Sequence, residues 1–406
     1  MAELPTTDDV MAVLRGVIDP ELGSDIVDLG MAKRARVTDD GQVTVTIALT
    51  TMGCPLRAQI RDDVTVRIES MVGVTGVTID WTELDADEKA ETMMKARAAA
   101  ADRAGPTAVP ASARVLAVAS GKGGVGKSSV TVNLATALAR RGLRVGVLDA
   151  DIGGFSIPRM LGLDGRLDAT KVGERAVMTP HSLIVPASDR PADDDPAVAG
   201  VTDGRLDVVS MGFLVDAEDA ALMWRGLMLN RAVQHFLEDV AWADDLDYLL
   251  IDMPPGTGDI AMGLARMLPR AEALVVTTPA TAAQKVAGRA VDGARKSHLR
   301  VAGIIENMAA FVTPDGATYP LFGEGGGQAL SDESGVPLLA SIPLEPSVSA
   351  GGDAGSPVAG GSGPAADAFR ALAARIVDEV APPVAIESCS ARLFDAVEAA
   401  LDEAGL

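Results

Sequence analysis

Near the start of the chain, apolar residues recur at helical spacing. Val10, Met11, Leu14 and Val17 share one face, and Thr6 or Thr7 is placed to cap that helix. Asp19-Pro20-Glu21 ends it. Val43, Val45, Ile47 and Leu49 then alternate with polar residues, as in a strand buried on one face. Leu56, Ile60, Val64 and Ile68 follow every fourth residue, which predicts a helix with Pro55 as its first residue. Residues 85–103 are rich in Ala, Glu and Lys and predict an exposed helix, after which Gly105-Pro106 and Pro110 interrupt regular structure. The expected organisation is a small α+β domain over 1–83, a linker over 84–113 and a larger domain over 114–406.

The larger domain alternates apolar strands with helical patterns, the signature of an α/β protein with a parallel sheet. The expected strands are 115–119, 145–149, 207–210, 249–252, 273–277, 301–305 and 339–342. Several end in polar signatures, and ligands of such sheets bind at the carboxyl ends of strands. Residues 189–203, acidic and proline-containing, predict a surface loop. The Gly/Ser-rich stretch 351–363 predicts a flexible segment, 368–380 a closing helix, and Leu393, Phe394, Val397 and Leu401 a last amphipathic helix.

Composition narrows the classes. The chain has 406 residues, 48% of them hydrophobic but only 3% aromatic, so the core must be aliphatic. No run approaches the roughly 18 apolar residues of a spanning helix. The acidic first residues lack the apolar stretch of a signal peptide. Two cysteines far apart, Cys54 and Cys389, do not suggest a disulfide framework, and a cytoplasmic setting is expected. A net charge of −22 repels phosphate backbones and anionic lipid, so neither nucleic acid nor membrane is expected as the partner.

The chemistry concentrates in Gly121-Lys122-Gly123-Gly124-Val125-Gly126-Lys127-Ser128, which fits the phosphate-cradling pattern G-x-x-x-x-G-K-[ST] at every fixed position. It lies between an apolar strand and a helical pattern carrying Val130, Leu134, Ala137 and Leu138, so the loop faces a helix N-terminus that favours anions. In that pattern Lys127 serves the β- and γ-phosphates and Ser128 a Mg²⁺ ion, with Ser129 completing the first helical turn. Leu249-Leu250-Ile251-Asp252 is an apolar strand ending in a carboxylate suited to Mg²⁺. Gly256 in the following Met253-Pro254-Pro255-Gly256 turn can offer an N–H to the γ-phosphate. Asp151, in Asp149-Ala150-Asp151 at another strand end, is a candidate for ordering the attacking water, the alternative being an ordinary capping aspartate. Cys54 falls just before a helix start. There it is either a thiolate favoured by the helix dipole or a small buried apolar group.

The extra lysine, Lys122, resembles the signature lysine of the deviant-Walker-A ATPases, the class of MinD- and ParA-like proteins. The resemblance implies a homodimer in which Lys122 reaches the partner's nucleotide. Asp149-Ala150-Asp151 matches that class's first switch and implies that Asp151 positions water. The string Asp252-Met253-Pro254-Pro255-Gly256-Thr257-Gly258-Asp259, with Trp224-Arg225-Gly226, Glu306-Asn307-Met308, Phe322-Gly323-Glu324-Gly325-Gly326 and Ser341-Ile342-Pro343-Leu344, resembles the Mrp/ApbC family of P-loop ATPases, iron–sulfur cluster carriers. This implies a slow ATPase using ATP and Mg²⁺, with Asn307 reading the adenine edge and Pro343 lending backbone at the base. The implied partners are apoprotein clients and iron–sulfur assembly proteins. Asp19-Pro20-Glu21-Leu22, Ile26-Val27-Asp28-Leu29-Gly30, Leu49-Thr50-Thr51-Met52-Gly53-Cys54-Pro55 and Gly73-Val74-Thr75-Gly76-Val77 resemble the FSCA-type iron–sulfur-assembly domain, whose single cysteine Cys54 matches. The fold class expected is therefore a parallel-sheet P-loop NTPase with a small N-terminal α+β domain.

One departure matters. The Mrp/ApbC family carries a C-x-x-C pair after Asn-Met, where two protomers bridge a cluster. Here Thr313 stands where the first cysteine would be, and no cysteine lies nearby. Protein-held clusters take about four thiolate ligands. The bridging cluster is therefore not expected at this loop, and any iron–sulfur cargo falls to Cys54, with Cys389 or external thiols. A nucleotide-switched interaction protein carrying no cluster is the competing reading.

Overall fold

A computed structural model describes residues 4–384 except 20–21, 23, 51–55, 86–87, 90, 93–94, 96–106, 152–153, 174, 189–202, 215–225, 257–262, 266, 298 and 314–316. The last amphipathic pattern, the acidic loop from 189 to 202, Trp224, Cys54 and Cys389 lie outside the described residues. The chain divides into two compact units, one within 1–104 and the other Gly105–Pro382.

The first unit begins with α1 (Thr7–Leu14). Thr6 is its cap, accepting from the Asp9 N–H while the Asp9 carboxylate accepts from the Thr6 N–H. A short ladder, β1 (Ile18–Asp19) and β2 (Ser24–Asp25), precedes a three-stranded sheet of β3 (Ala32–Val37), β4 (Gln42–Leu49) and β5 (Gly76–Glu83). β4 lies in the centre, antiparallel to β3 and parallel to β5, and α2 (Arg57–Glu69) supplies the crossover. The alternating face of β4 packs Val43, Val45, Ile47 and Leu49 onto Val10, Leu14, Ile60, Val64 and Ile68. β3 escapes the sequence pattern because Lys33, Arg34 and Arg36 leave it few apolar positions. The exposed helix expected over 85–103 is corrected at its start: Thr92 is buried, and its Oγ1 donates to the Leu29 carbonyl at 3.0 Å. Residues 107–113 belong to the second unit, where the Ala108 N–H donates to the Leu237 carbonyl at 2.6 Å.

The second unit is built on eight strands: β6 (Arg114–Ser120), β7 (Arg144–Asp149), β10 (His181–Val185), β11 (Gly204–Ser210), β12 (Tyr248–Asp252), β13 (Glu272–Thr277), β14 (Arg300–Glu306) and β17 (Leu338–Ser341). Their order is β10-β11-β7-β12-β6-β13-β14-β17, parallel throughout except for the edge pair β10–β11. Both faces are covered, as parallel sheets require. Val115 and Ala117 of β6 enter one core, and Leu116 and Val118 enter the other. Between β7 and β10 the chain adds α4 (Ile157–Met160) and a hairpin of β8 (Asp168–Val172) and β9 (Arg175–Thr179). A second small hairpin, β15 (Phe311–Val312) and β16 (Thr318–Tyr319), follows β14.

The helices that matter for the site are α3 (Lys127–Ala139), directly after β6, then α5 (Gly226–Glu238), α6 (Thr281–Lys296), α7 (Gly326–Ser334), α8 (Pro346–Asp353) and α9 (Pro364–Arg375). α3 is buried nearly all round because it lies between the sheet and α9. The stretch expected to be flexible is instead packed. It contains the end of α8 and a turn at Val358–Gly360, whose Ala359 N–H donates to Asn133 Oδ1 at 3.0 Å. Its glycines serve close approach: a Cβ on Gly355 would stand 2.5 Å from Gly162 Cα. Among the described residues no helix is long and apolar enough to cross a membrane.

Candidate functional site

β6 is flanked by β12 and β13, and strand order reverses around it, so its carboxyl end is the crevice where ligands of open α/β sheets bind. The glycine-rich loop leaves β6 at that point. Gly124 and Gly126 have φ of +80° and +79°, a backbone that a side chain would strain. Lys127 opens α3, so its amide and those that follow stand at a helix start. The loop, with Asp151, Met160 and Pro255, lines a cavity of about 210 Å³.

Sheet register lines up the acidic groups. Asp252 of β12 pairs with Asp149 of β7, and Asp149 pairs with Ser210 of β11. Lys127 Nζ donates to Asp252 Oδ1 at 2.7 Å and stands 3.7 Å from Asp151 Oδ2. Ser128 Oγ donates to Asp252 Oδ2 at 2.6 Å. Thr131 Oγ1 stands 3.0 Å from Asp252 Oδ1. Asp252 is completely buried, and these contacts satisfy its carboxylate.

Asp149 is buried as well. Its Oδ1 accepts from the Asp151 N–H at 3.2 Å, and its Oδ2 accepts from Ser210 Oγ at 3.1 Å and the Ile157 N–H at 3.4 Å. Burial, then the neighbouring Asp252 charge, push the Asp149 carboxyl up to about 7. Burial also raises Asp151, against the pull of Lys127. Two carboxylates, Asp252 and Asp151, thus lie within 3.7 Å of one ammonium, with buried Asp149 paired to Asp252 across the sheet, an environment that favours an incoming cation.

Two expectations change. The Gly256 N–H donates to the Ser120 carbonyl at 3.0 Å, so it is not open toward the loop. The turn after β12 folds back on the end of β6 instead. The Asn307 amide likewise does not stand free for a base: Nδ2 donates to the Val125 carbonyl at 2.9 Å. Met308, with φ +56° the only non-glycine in the left-handed region among the described residues, turns the chain immediately after it. Pro343 is half-buried in a segment tied to the same strand end by Ile342 N–H to Glu306 carbonyl, at 2.7 Å, and Ala309 N–H to Ile342 carbonyl, at 2.9 Å. Lys122 is exposed, and its Nζ makes no hydrogen bond or ion pair with the described residues.

The structure therefore brings Lys127, Ser128, Asp151 and Asp252 together, with Lys122 to Gly126 around the cavity, Gly121 packed against the Val286 backbone and Ser129 on the first turn of α3. Thr131, Asp149 and Glu306 were not assigned from the sequence. Glu306 is buried at the end of β14, where it accepts from the Gly327 N–H at 2.7 Å and Ser341 Oγ at 3.0 Å. The signal for Thr131 and Asp149 was their position: one turn past Lys127, and at the end of the strand beside Asp252.

Thr313 closes the hairpin between β15 and β16. Its N–H and Oγ1 both donate to the Ala317 carbonyl, at 2.9 and 3.0 Å.

The family model described as the NUBPL iron-transfer P-loop NTPase matches residues 111–377. The chain belongs to that family. A model described as an iron-sulfur cluster assembly protein matches residues 7–81. The relatives of this P-loop NTPase include the iron-sulfur cluster carrier protein of Mycobacterium leprae, 44% identical over 356 residues and covering 86% of each chain. That of Deinococcus radiodurans is 40% identical over 376 residues, covering 92% of this chain and 95% of its own. Among solved structures, a nucleotide-binding protein of Archaeoglobus fulgidus in complex with ADP is 34% identical. It covers 59% of this chain and 86% of that one with a TM-score of 0.47.

Proposed function

We propose that this chain binds and hydrolyses Mg²⁺–ATP as a homodimer and uses that cycle to carry iron–sulfur clusters to apoproteins. The observation that carries the nucleotide half is the convergence of Lys127 and Ser128 on Asp252 beside the glycine loop. A hydroxyl and a carboxylate are the hard oxygen donors that Mg²⁺ takes, so Ser128 and Asp252 fit that ion. When bound, it would neutralise charge on the phosphates. Because the Asp252 and Asp151 carboxylates already flank Lys127, free ATP is repelled and the magnesium complex is the species that fits.

Lys127 leaves Asp252 for the phosphate oxygens as the nucleotide enters. Asp151 orients the water that attacks the γ-phosphorus, and the bond to the β-phosphate oxygen breaks to release ADP. Lys122, exposed and uncommitted, reaches the partner protomer's nucleotide and offsets charge on the transferred group. Asn307 braces the loop with its NH₂, which leaves its carbonyl oxygen as the acceptor for the adenine amino group, with the backbone at Pro343 beside the base. Gly256 offers its N–H to the γ-phosphate only after releasing Ser120.

The cargo half rests on the pairing of the two matched families and on Cys54. The hairpin where a cysteine pair would sit carries Thr313 in its place, its hydroxyl bonded to the Ala317 carbonyl, so cluster ligation is assigned to Cys54, with Cys389 or external thiols completing the ligand set. The test is phosphate release by wild type, Lys127→Ala and Asp252→Asn, run beside cluster transfer to an apo-ferredoxin. Turnover should fall by about 100-fold or more in both variants, and transfer should quicken with Mg²⁺–ATP in wild type only. Wild-type protein without turnover, or transfer indifferent to nucleotide, overturns the reading.

A further inference from the structure

Thr131 sits one turn beyond Lys127 on α3, completely buried. Its Oγ1 lies 3.1 Å from the Lys127 carbonyl and 3.0 Å from Asp252 Oδ1. A helical threonine ordinarily closes on the carbonyl four residues back, as Thr136 does on Val132 at 2.9 Å. Thr131 has a second acceptor within reach, and that acceptor is the carboxylate at the centre of the site. A hydroxyl carries one hydrogen. If it went to the backbone, a lone pair of Oγ1 would face an ionised Oδ1 across 3.0 Å. The charge-assisted bond to Asp252 is the stronger use of that hydrogen.

The described donors to the Asp252 side chain are Lys127 Nζ, Ser128 Oγ and Thr131 Oγ1. The first two belong to groups that a magnesium nucleotide claims for itself. Thr131 cannot follow them, because its short side chain is completely buried on a helix packed between the sheet and α9 and does not line the loop cavity. Of the three it is the donor that stays.

We propose that Thr131 is a positioning residue for Asp252: it holds Oδ1 throughout the cycle and so presents Oδ2, the oxygen beside Ser128, to the magnesium ion. The inference rests on the nucleotide reading above and deepens it. The lysine bond on Oδ1 is replaceable because Thr131 shares the same oxygen. The carboxylate therefore keeps its orientation when Lys127 departs.

The experiment measures phosphate release and fluorescent-ADP binding against Mg²⁺ concentration for full-length wild type, Thr131→Val and Thr131→Ser. Valine keeps the shape and removes the hydroxyl; serine keeps the hydroxyl and removes the methyl. Thr131→Val should lower kcat about tenfold and raise the half-saturating Mg²⁺ several-fold with little change in KM for ATP, the scale expected for one hydrogen bond to a charged group. Thr131→Ser should stay within about twofold of wild type. Thr131→Val combined with Asp252→Asn should lose little beyond Asp252→Asn alone, since both act on one carboxylate. A valine variant with wild-type Mg²⁺ dependence, a serine variant as impaired as valine, or additive losses in the double variant overturns the role of Thr131 while leaving the nucleotide reading standing. Wild-type protein that neither turns over nor binds ADP overturns that reading and the inference with it.

Discussion

Asn307 Nδ2 donates to the Val125 carbonyl across 2.9 Å, joining the end of β14 to the phosphate loop. Gly126 makes the contact possible, since a Cβ there would lie 2.3 Å from the same nitrogen. Asn307→Ala should weaken ADP binding about tenfold and lower stability by about 1–3 kcal/mol, because the buried Val125 carbonyl loses its donor. Gly126→Ala should be worse. The double variant should recover only part of that loss, because φ of +79° still strains an alanine. Calorimetric ADP titration and urea unfolding check both, and full recovery would mean that the clash alone governs the position.

Lys122 is exposed, whereas Lys127 is enclosed among carboxylates. Lys122→Ala should therefore impair hydrolysis more than ATP binding, and the protein should lose the protein-concentration dependence of its turnover. Equal loss of binding and turnover would give Lys122 a binding role within its own protomer.

Asp149 sets a pH dependence whose sign is fixed. Its carboxyl is pushed up to about 7 in the folded protein, above its ordinary value of 3.8. Between those values the folded state holds a proton that the unfolded chain has released. Stability of the nucleotide-free protein should thus fall as pH rises from about 4 to about 7 and level off above. Asp149→Asn mimics the protonated form and should flatten the decline, gaining on wild type with each step in pH. Urea midpoints across pH 5 to 8 decide it, and parallel curves would count against the assignment.

Gly355 tests the packing of the glycine-rich stretch. With φ +67° and a Cβ position 2.5 Å from Gly162 Cα, Gly355→Ala should cost about 3 kcal/mol. A loose surface segment would tolerate the change within about 0.5 kcal/mol.

Much of this was legible in the residues, for physical reasons that also explain the failures. Strands such as Tyr248–Asp252 are continuous apolar runs because both sheet faces are covered, and the glycine loop is legible because its backbone conformation admits few other residues. The hairpin Asp168–Val172 with Arg175–Thr179 escapes the pattern because β8 is exposed throughout and β9 sends only half-buried Met178 against the core, so no alternation marks them. The edge strand His181–Val185 does not stand out because its three apolar residues run consecutively without alternation and, at the sheet edge, none of the five is fully buried. Gly351 to Gly363 misled because glycine signals both looseness and close backbone approach, and only the neighbours distinguish them. At the site, sequence motifs identified Lys127, Ser128 and Asp252. The commitments of Asn307 to Val125 and of Gly256 to Ser120 depend on residues more than 130 positions apart, which no local pattern reports.

The proposed cargo site is Cys54, with Cys389 or external thiols, in place of a cysteine pair after Asn307. Iron and sulfide quantitation on protein reconstituted without oxygen, wild type beside Cys54→Ala, tests it most directly. Stoichiometric iron and sulfide are expected in wild type, with near-complete loss in Cys54→Ala. Wild type without iron and sulfide, or a variant that holds as much as wild type, would contradict that assignment.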